Sequence, residues 1–247
     1  LQFAPCLPSR ARRMSGKPLF RAPLRLDSGT LLPQVFQKAG YQTFASGKWH
    51  NGELSFENCF DEAEAGFFGG AAGTHVNVPV HRMIAGLMVP YDAGETFSTD
   101  LFADAAIDQA VEGIVNGIFF NQGHVCCAGS RLFVQESVAG EVISKLKDRM
   151  ETLIVGDPLD KNADIGAINS AQQLETIHSY LKVGQAEGAE MYQSVCPLPS
   201  SGYWCPPTIF TGVSQSNRIV QEEIFGPVLA IQTFRTLKEG LEKANNT

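Results

Sequence analysis

The sequence predicts an α/β protein, and three observations carry that prediction. The second half alternates segments of helical and strand periodicity, which favours a parallel, doubly wound sheet. In the first half, "SGTLLPQVFQKAGYQTFASGKWHNG" reads as a helix, then a strand, then polar residues at the strand end, the pattern of an α/β site edge. Of the 247 residues, 44% are hydrophobic and 18% charged, an ordinary globular balance.

Residues 1–27 are rich in Arg and Pro and read as irregular, apart from a short helix after Pro8. Leu32, Val35, Phe36 and Ala39 share helical spacing, with Thr30 as the cap and Pro33 tolerated in the first turn. Gly40 ends that helix, and "YQTFAS" is a strand that delivers Lys48, Trp49 and His50 to its far end. Gly, Asn and Pro make residues 51–97 mostly loop. The next helix spans 98–120, capped by Ser98 or Thr99, with Asp100 at its positive end and Val111, Val115, Ile118 and Phe119 on one face. "RLFVQE" at 131–136 is a strand, and Val138, Val142, Leu146 and Met150 mark a further helix. Residues 170–187 form another helix, "VLAIQTF" at 228–234 another strand, and a last helix leads into "EKANNT".

A formal charge of −7 argues against nucleic acid or an anionic membrane as the main partner. No apolar run is long enough to span a bilayer. No secretory signal pattern follows Leu1, and the compartment stays open. Both ends read as cuts, so a fragment is expected. The six cysteines, Cys6, Cys59, Cys126, Cys127, Cys196 and Cys205, show no Cys-x-x-Cys pair and no zinc spacing. Most of them read as small buried hydrophobes.

From about residue 109 to 247 the chain resembles the aldehyde dehydrogenase superfamily. The resemblance rests on "FFNQGHVCCAGSR", "VGDPLD", "GYWCPPTIF" and "QEEIFGPV", in family order. It implies part of the family's doubly wound catalytic domain, and a thiolate attack on an aldehyde, hydride departure to NAD or NADP, and thioester hydrolysis. Cys126 would be the nucleophile, its own N–H facing the oxyanion, with Cys127 a packing residue beside it. Gly123 would permit the close turn. His124 stands where the family carries Gln. Glu223, read alone a solvated carboxylate, would accept hydrogen bonds from the nicotinamide ribose, and Phe225 would pack beside the nicotinamide. The family's Glu-Leu-Gly-Gly-Lys string with its general base, its oxyanion amide and its dinucleotide-binding fold do not occur in this sequence.

Residues 1–108 resemble the sulfatase family. "CLPSRARRMSGK" is similar to its Cys-x-Pro-Ser-Arg signature and "AGYQTFASGKWHNG" to its second signature; "FFGG", "HVNVPV" and "YDAGETFSTDLFADAAID" continue the likeness. The resemblance implies that Cys6 is a formylglycine precursor steadied by Arg10, that Lys48 and His50 meet a sulfate ester, and that calcium assists. His75 and His81 read as loop or packing residues before metal ligands.

The sequence is therefore expected to hold two incomplete α/β fragments, 1–108 and 109–247, that meet inside one helix near 108–110. Three readings remain: an aldehyde dehydrogenase-like chain acting on a small-molecule aldehyde, a sulfatase-like chain acting on a sulfate ester, and a non-catalytic composite or interaction chain. Oligomeric state is not legible.

Overall fold

The computed structural model describes residues 14–15, 26, 29–68, 76 and 78–246. Cys6, Arg10, His75 and the helix expected after Pro8, except for residues 14–15, lie outside them. The chain divides into two units, residues 1–109 and 110–247.

The N-terminal unit carries a four-stranded sheet in the order β1-β2-β3-β4. Its helix α1 (Leu32–Lys38) starts later than Thr30, and the Leu31 N–H donates to Gln34 Oε1 at 2.9 Å in place of a threonine cap. Leu31 and Pro33 are buried, whereas Leu32, Val35 and Phe36, the expected core face, are exposed. The helix thus turns its apolar stripe outward, because its buried contacts come from the cap and first turn.

Strand β1 (Phe44–Trp49) begins three residues after the expected Tyr41 start. It pairs in parallel with β2 (Glu62–Phe68), with a register shift between Ala45 and Gly47. Asp61 fastens the start of that pair: its Oδ2 accepts from the Thr43 N–H at 2.7 Å and hydroxyl at 2.8 Å. Those bonds hold the Asp61 carboxyl below its usual pKa. Trp49 points into a core with Phe56 and Cys59 and meets the Phe56 and Phe60 rings edge-on at 5.6 and 5.8 Å.

The region expected to be mostly loop is more ordered than its Gly and Pro content suggests. It contains α2 (Glu53–Glu57), β2, and the hairpin of β3 (Val80–Ile84) with β4 (Leu87–Tyr91). Ala85 and Gly86 close that hairpin with φ of 52° and 80°, the positive pair that a two-residue turn needs. Pro90 is tolerated because β4 lies at the sheet edge.

Helix α3 (Ser98–Phe119) begins at Ser98 itself, so neither Ser98 nor Thr99 is the preceding cap; the Leu101 N–H reaches the Phe97 carbonyl at 3.0 Å. Val111, Val115, Ile118 and Phe119 are its buried face, as expected.

The C-terminal unit holds the sheet β5-β8-β7-β6. β5 (Arg131–Gln135) and β7 (Thr208–Thr211) run parallel to the central β8 (Val228–Phe234), and the edge strand β6 (Glu190–Gln193) is antiparallel. This mixed sheet is the α/β class that the helix–strand alternation predicts. Helix α4 (Glu136–Met150) buries Ala139, Val142, Leu146 and Met150; Val138, expected on that face, is exposed.

Helix α5 (Ala171–Ala186) is capped by Ser170, whose Oγ accepts from the Gln173 N–H at 3.2 Å. Gly184 lets α5 approach β7, since a Cβ there would stand 2.8 Å from the Phe210 ring. The short α6 (Arg218–Gln221) and terminal α7 (Leu237–Ala244) complete the unit.

Ile177 of α5 is fully buried in the core of this unit, beside Phe210 and Ile224. Ile177→Ala is expected to cost about 2–5 kcal/mol, read from the urea midpoint of this unit's unfolding.

Candidate active site

Parallel pairing decides where the site forms. The cysteine loop precedes β5 and the "EEIFGP" loop precedes β8. Because β5 and β8 run the same way, side by side, both loops emerge at the same amino-terminal edge of the sheet. The sequence motifs lie about a hundred residues apart; the sheet puts them together.

The contact between the loops is backbone on backbone. Gly123 has φ of +72°, and a Cβ on it would fall 2.2 Å from the Gly226 carbonyl oxygen. Only glycine fits such an approach. Gly226 is packed from behind by a side chain, where a Cβ would meet Ile177 Cδ1 at 2.6 Å. Two amide side chains set the loop shapes. Gln122 accepts from the Gly166 N–H at 3.2 Å and donates to the Ala167 carbonyl at 3.1 Å. Gln173 Nε2 donates to the Ile224 and Phe225 carbonyls, each at 3.0 Å.

Backbone strain collects here. Asn121, Gln122 and Phe225 all have positive φ, at 49°, 57° and 55°. Such conformations persist in non-glycine residues only where neighbours over-determine them. The Asn121 amide donates to the His124 carbonyl at 3.1 Å, and the His124 N–H to the Asn121 carbonyl at 2.9 Å. His124 lies over Phe225, ring centroids 5.6 Å apart and planes 14° from parallel. Its Nε2 is buried with no hydrogen-bond partner, and burial pulls its pKa below the ordinary imidazole value. The ring at this position is a neutral plate, where an amide would have donated and accepted.

Cys126 and Cys127 are both exposed on the turn that follows. The Ala128 N–H to the Val125 carbonyl, 2.9 Å, closes that turn around Cys126, and Gly129 N–H to the Gly117 carbonyl, 2.8 Å, ties it to the end of α3. Cys127 is not buried packing, because the turn leaves both side chains in solvent. Of the remaining thiols among the described residues, Cys59 and Cys205 are buried and Cys196 is half-buried. Glu223 is exposed. Its neighbour Glu222 is engaged elsewhere, bidentate with Arg218 at 2.8 and 2.9 Å and accepting from the Tyr180 hydroxyl at 2.7 Å. The sequence reading did not single out Gly226, Gln122 or Gln173. Only the Gly-Pro dipeptide in "FGPV" signals a special backbone there.

In the N-terminal unit, Lys48 and His50 sit at the end of β1, on the face opposite the buried Trp49. His50 Nδ1 is buried without a hydrogen-bond partner. Cys6 and Arg10 lie outside the described residues, so their expected meeting with Lys48 and His50 has no geometry. His81 packs against Phe68 in β2, ring centroids 5.1 Å apart. Among the described residues no group of three or more His, Cys, Asp or Glu side chains could hold a metal ion.

A thiol on a tight glycine turn, an exposed carboxylate and an aromatic ring thus share one edge of an α/β sheet. The sequence model of the Aldehyde dehydrogenase family matches residues 98–247, and the chain belongs to that family. The match starts at Ser98 and takes in the whole of α3, including "STDLFADAAID", which the sulfatase resemblance shared. The chain is similar, at 41% identity over 147 residues, to aldehyde dehydrogenase family 2 member C4 of Arabidopsis thaliana, which covers 60% of this chain and 29% of that one. A 178-residue stretch, 70% of the chain, is 40% identical to an aldehyde dehydrogenase-like protein of Schizosaccharomyces pombe and covers 36% of it.

Among solved structures, NAD-dependent aldehyde dehydrogenase from Sinorhizobium meliloti matches with a TM-score of 0.55 and 39% identity over 57% of this chain and 28% of its own. Betaine aldehyde dehydrogenase from Staphylococcus aureus, in complex with NAD+, matches with a TM-score of 0.54 and 35% identity over 57% and 28%. The chain thus spans under a third of the first relative's length.

Two outcomes test this geometry. Gly123→Ala is expected to lose about 1–3 kcal/mol of stability and to slow alkylation of Cys126, followed by urea unfolding and peptide mapping. The Glu222 carboxyl, held at about 2 against its ordinary 4.5 by Arg218 first and Tyr180 second, is a lowered-pKa group. Its contribution is therefore complete above pH 4.5 and lost as pH falls towards 2. Carboxyl NMR titration should find Glu222 ionised down to about pH 2, and Arg218→Ala should return it towards 4.5.

Proposed function

We propose that residues 98–247 are the nucleophile-bearing part of an aldehyde dehydrogenase catalytic domain that oxidises a small-molecule aldehyde to a carboxylic acid with NAD or NADP. The observation that carries this is the Gly123–Gly226 approach, which sets the Cys126 turn against the Glu223–Phe225 loop. The residues fit the nicotinamide end of a dinucleotide: Glu223 offers an exposed acceptor for ribose hydroxyls, and Phe225 an aromatic face held by the His124 stack. When bound, the dinucleotide supplies the hydride acceptor.

The chain's own part is nucleophilic. The Cys126 sulfur forms a bond to the aldehyde carbon while the carbonyl electron pair moves to oxygen, beside the Cys126 N–H. Exposure of the turn leaves the sulfur open to an incoming carbonyl. Gln122 and Gln173 hold the two loops in fixed shapes on the one sheet edge.

The resemblance places the general base, the oxyanion amide and the dinucleotide cradle in segments this sequence does not contain. The 247 residues alone are therefore a reactive thiol that does not turn over. Iodoacetamide mapping should label Cys126 faster than Cys205 by roughly tenfold or more, since Cys126 is exposed whereas Cys205 is buried and its thiol is pushed up to about 12 by that burial. Equal labelling would remove Cys126 as the nucleophile. Aldehyde-dependent reduction of NAD by this chain alone, lost in Cys126→Ser, would keep the nucleophile and overturn the proposed inactivity.

A further inference from the structure

The β6–β7 hairpin carries its register beyond the two strands. Opposite residues run from Glu190 with Thr211 to Gln193 with Thr208. The Ser194 N–H then donates to the Pro207 carbonyl at 3.1 Å, the next pair in the same register. The strands end at Gln193 and Thr208, but the same register extended two residues beyond Ser194 and Pro207 would set Cys196 opposite Cys205. Opposite residues of an antiparallel pair lie about 4.5–5.5 Å apart at Cα, inside the roughly 4.4–6.8 Å that a disulfide spans. Both thiols are free.

Their surroundings differ. Cys205 is fully buried in the core with Ile168 and Phe210, while Cys196 is half-buried. Burial, and secondly the charge of Cys196, push the Cys205 thiol up to about 12. Burial also raises Cys196, with the Ser194 hydroxyl opposing it. The loop between the two cysteines is held by one distant bond, the Ile168 N–H to the Tyr203 carbonyl at 2.7 Å, and by one local bond, Trp204 Nε1 to the Ser201 carbonyl at 2.7 Å.

We propose that Cys196 and Cys205 form a reversible disulfide on exposure to hydrogen peroxide, closing the loop from 197 to 204 at its neck. The more open Cys196 sulfur attacks one peroxide oxygen; an S–O bond forms, the O–O bond breaks, and the other oxygen leaves as water. The Cys205 sulfur then displaces the sulfenic oxygen, which leaves as a second water, and the S–S bond forms. Two thiol hydrogens and two electrons reduce one peroxide to two waters. This pair is separate from the Cys126 turn, and the inference does not rest on the proposed dehydrogenase function.

The test uses the whole 247-residue chain with Cys126 and Cys127 both changed to serine, which removes the two exposed competitors. After treatment with hydrogen peroxide, the chain is alkylated under denaturing conditions, digested and mapped by mass. The expected result is a Cys196–Cys205 linked peptide, lighter by two hydrogens than the free pair and lost on reduction with dithiothreitol. Adding Cys196→Ser should leave Cys205 open to alkylation. Limited proteolysis of the unsubstituted chain gives an independent reading: oxidation should slow cleavage between residues 197 and 204, and dithiothreitol should restore it. Recovery of both thiols in alkylated form, or a link from Cys196 to any other cysteine, overturns the pair. Unchanged cleavage after oxidation overturns the clamp.

Discussion

The approach of Gly123 to Gly226 is the constraint on which the candidate site depends. A methyl group at Gly123 would sit 2.2 Å from a carbonyl oxygen, and one at Gly226 would sit 2.6 Å from Ile177. The first loop rests backbone on backbone against the second, and the second rests on the Ile177 side chain of α5. Gln173, reaching from α5 to two carbonyls of the second loop, makes the arrangement rigid without adding bulk. Because backbone leaves so little slack, the distance between the Cys126 turn and Phe225 is set by the sheet and not by side-chain choice. Pre-organisation of this sort is what a nucleophile and its partner surface require.

The energetic cost of that precision is visible in the dihedral angles. Three of the five non-glycine residues with positive φ among the described residues, Asn121, Gln122 and Phe225, belong to the two loops. The strain is offset by a buried sheet core that runs without interruption from Val228 to Gln232. Cheap flexibility is thereby excluded from the site. His124 fits the same logic. An imidazole that stacks on Phe225 fills the space by area contact, so its unpartnered Nε2 is tolerated while the ring stays neutral.

The N-terminal unit is organised differently. Its centre is Trp49, whose indole N–H reaches the Gly52 carbonyl at 2.9 Å and whose ring meets Phe56 and Phe60. Around that aromatic centre several large apolar side chains are exposed, among them Leu32, Val35, Phe36 and Leu87. Lys48 and His50 share the strand end that the sequence assigns them, but a strand end with two polar residues is not by itself a site.

A family resemblance alone marked Cys126, while local periodicity in the sequence determined the helix from Ser98 with its buried face, α5 and the central strand β8. Each of these depends on residues within a few turns of one another, so spacing along the chain records it. Tertiary structure alone decided the antiparallel edge strand β6, the strands between Glu62 and Tyr91, the outward turn of Leu32 and Phe36, and the exposure of Cys127. It also decided that the turn at Gly123 meets the loop at Gly226. Those outcomes depend on which distant segments pair and on what then covers each face, and pairing energy between residues a hundred positions apart leaves no periodic trace in either segment.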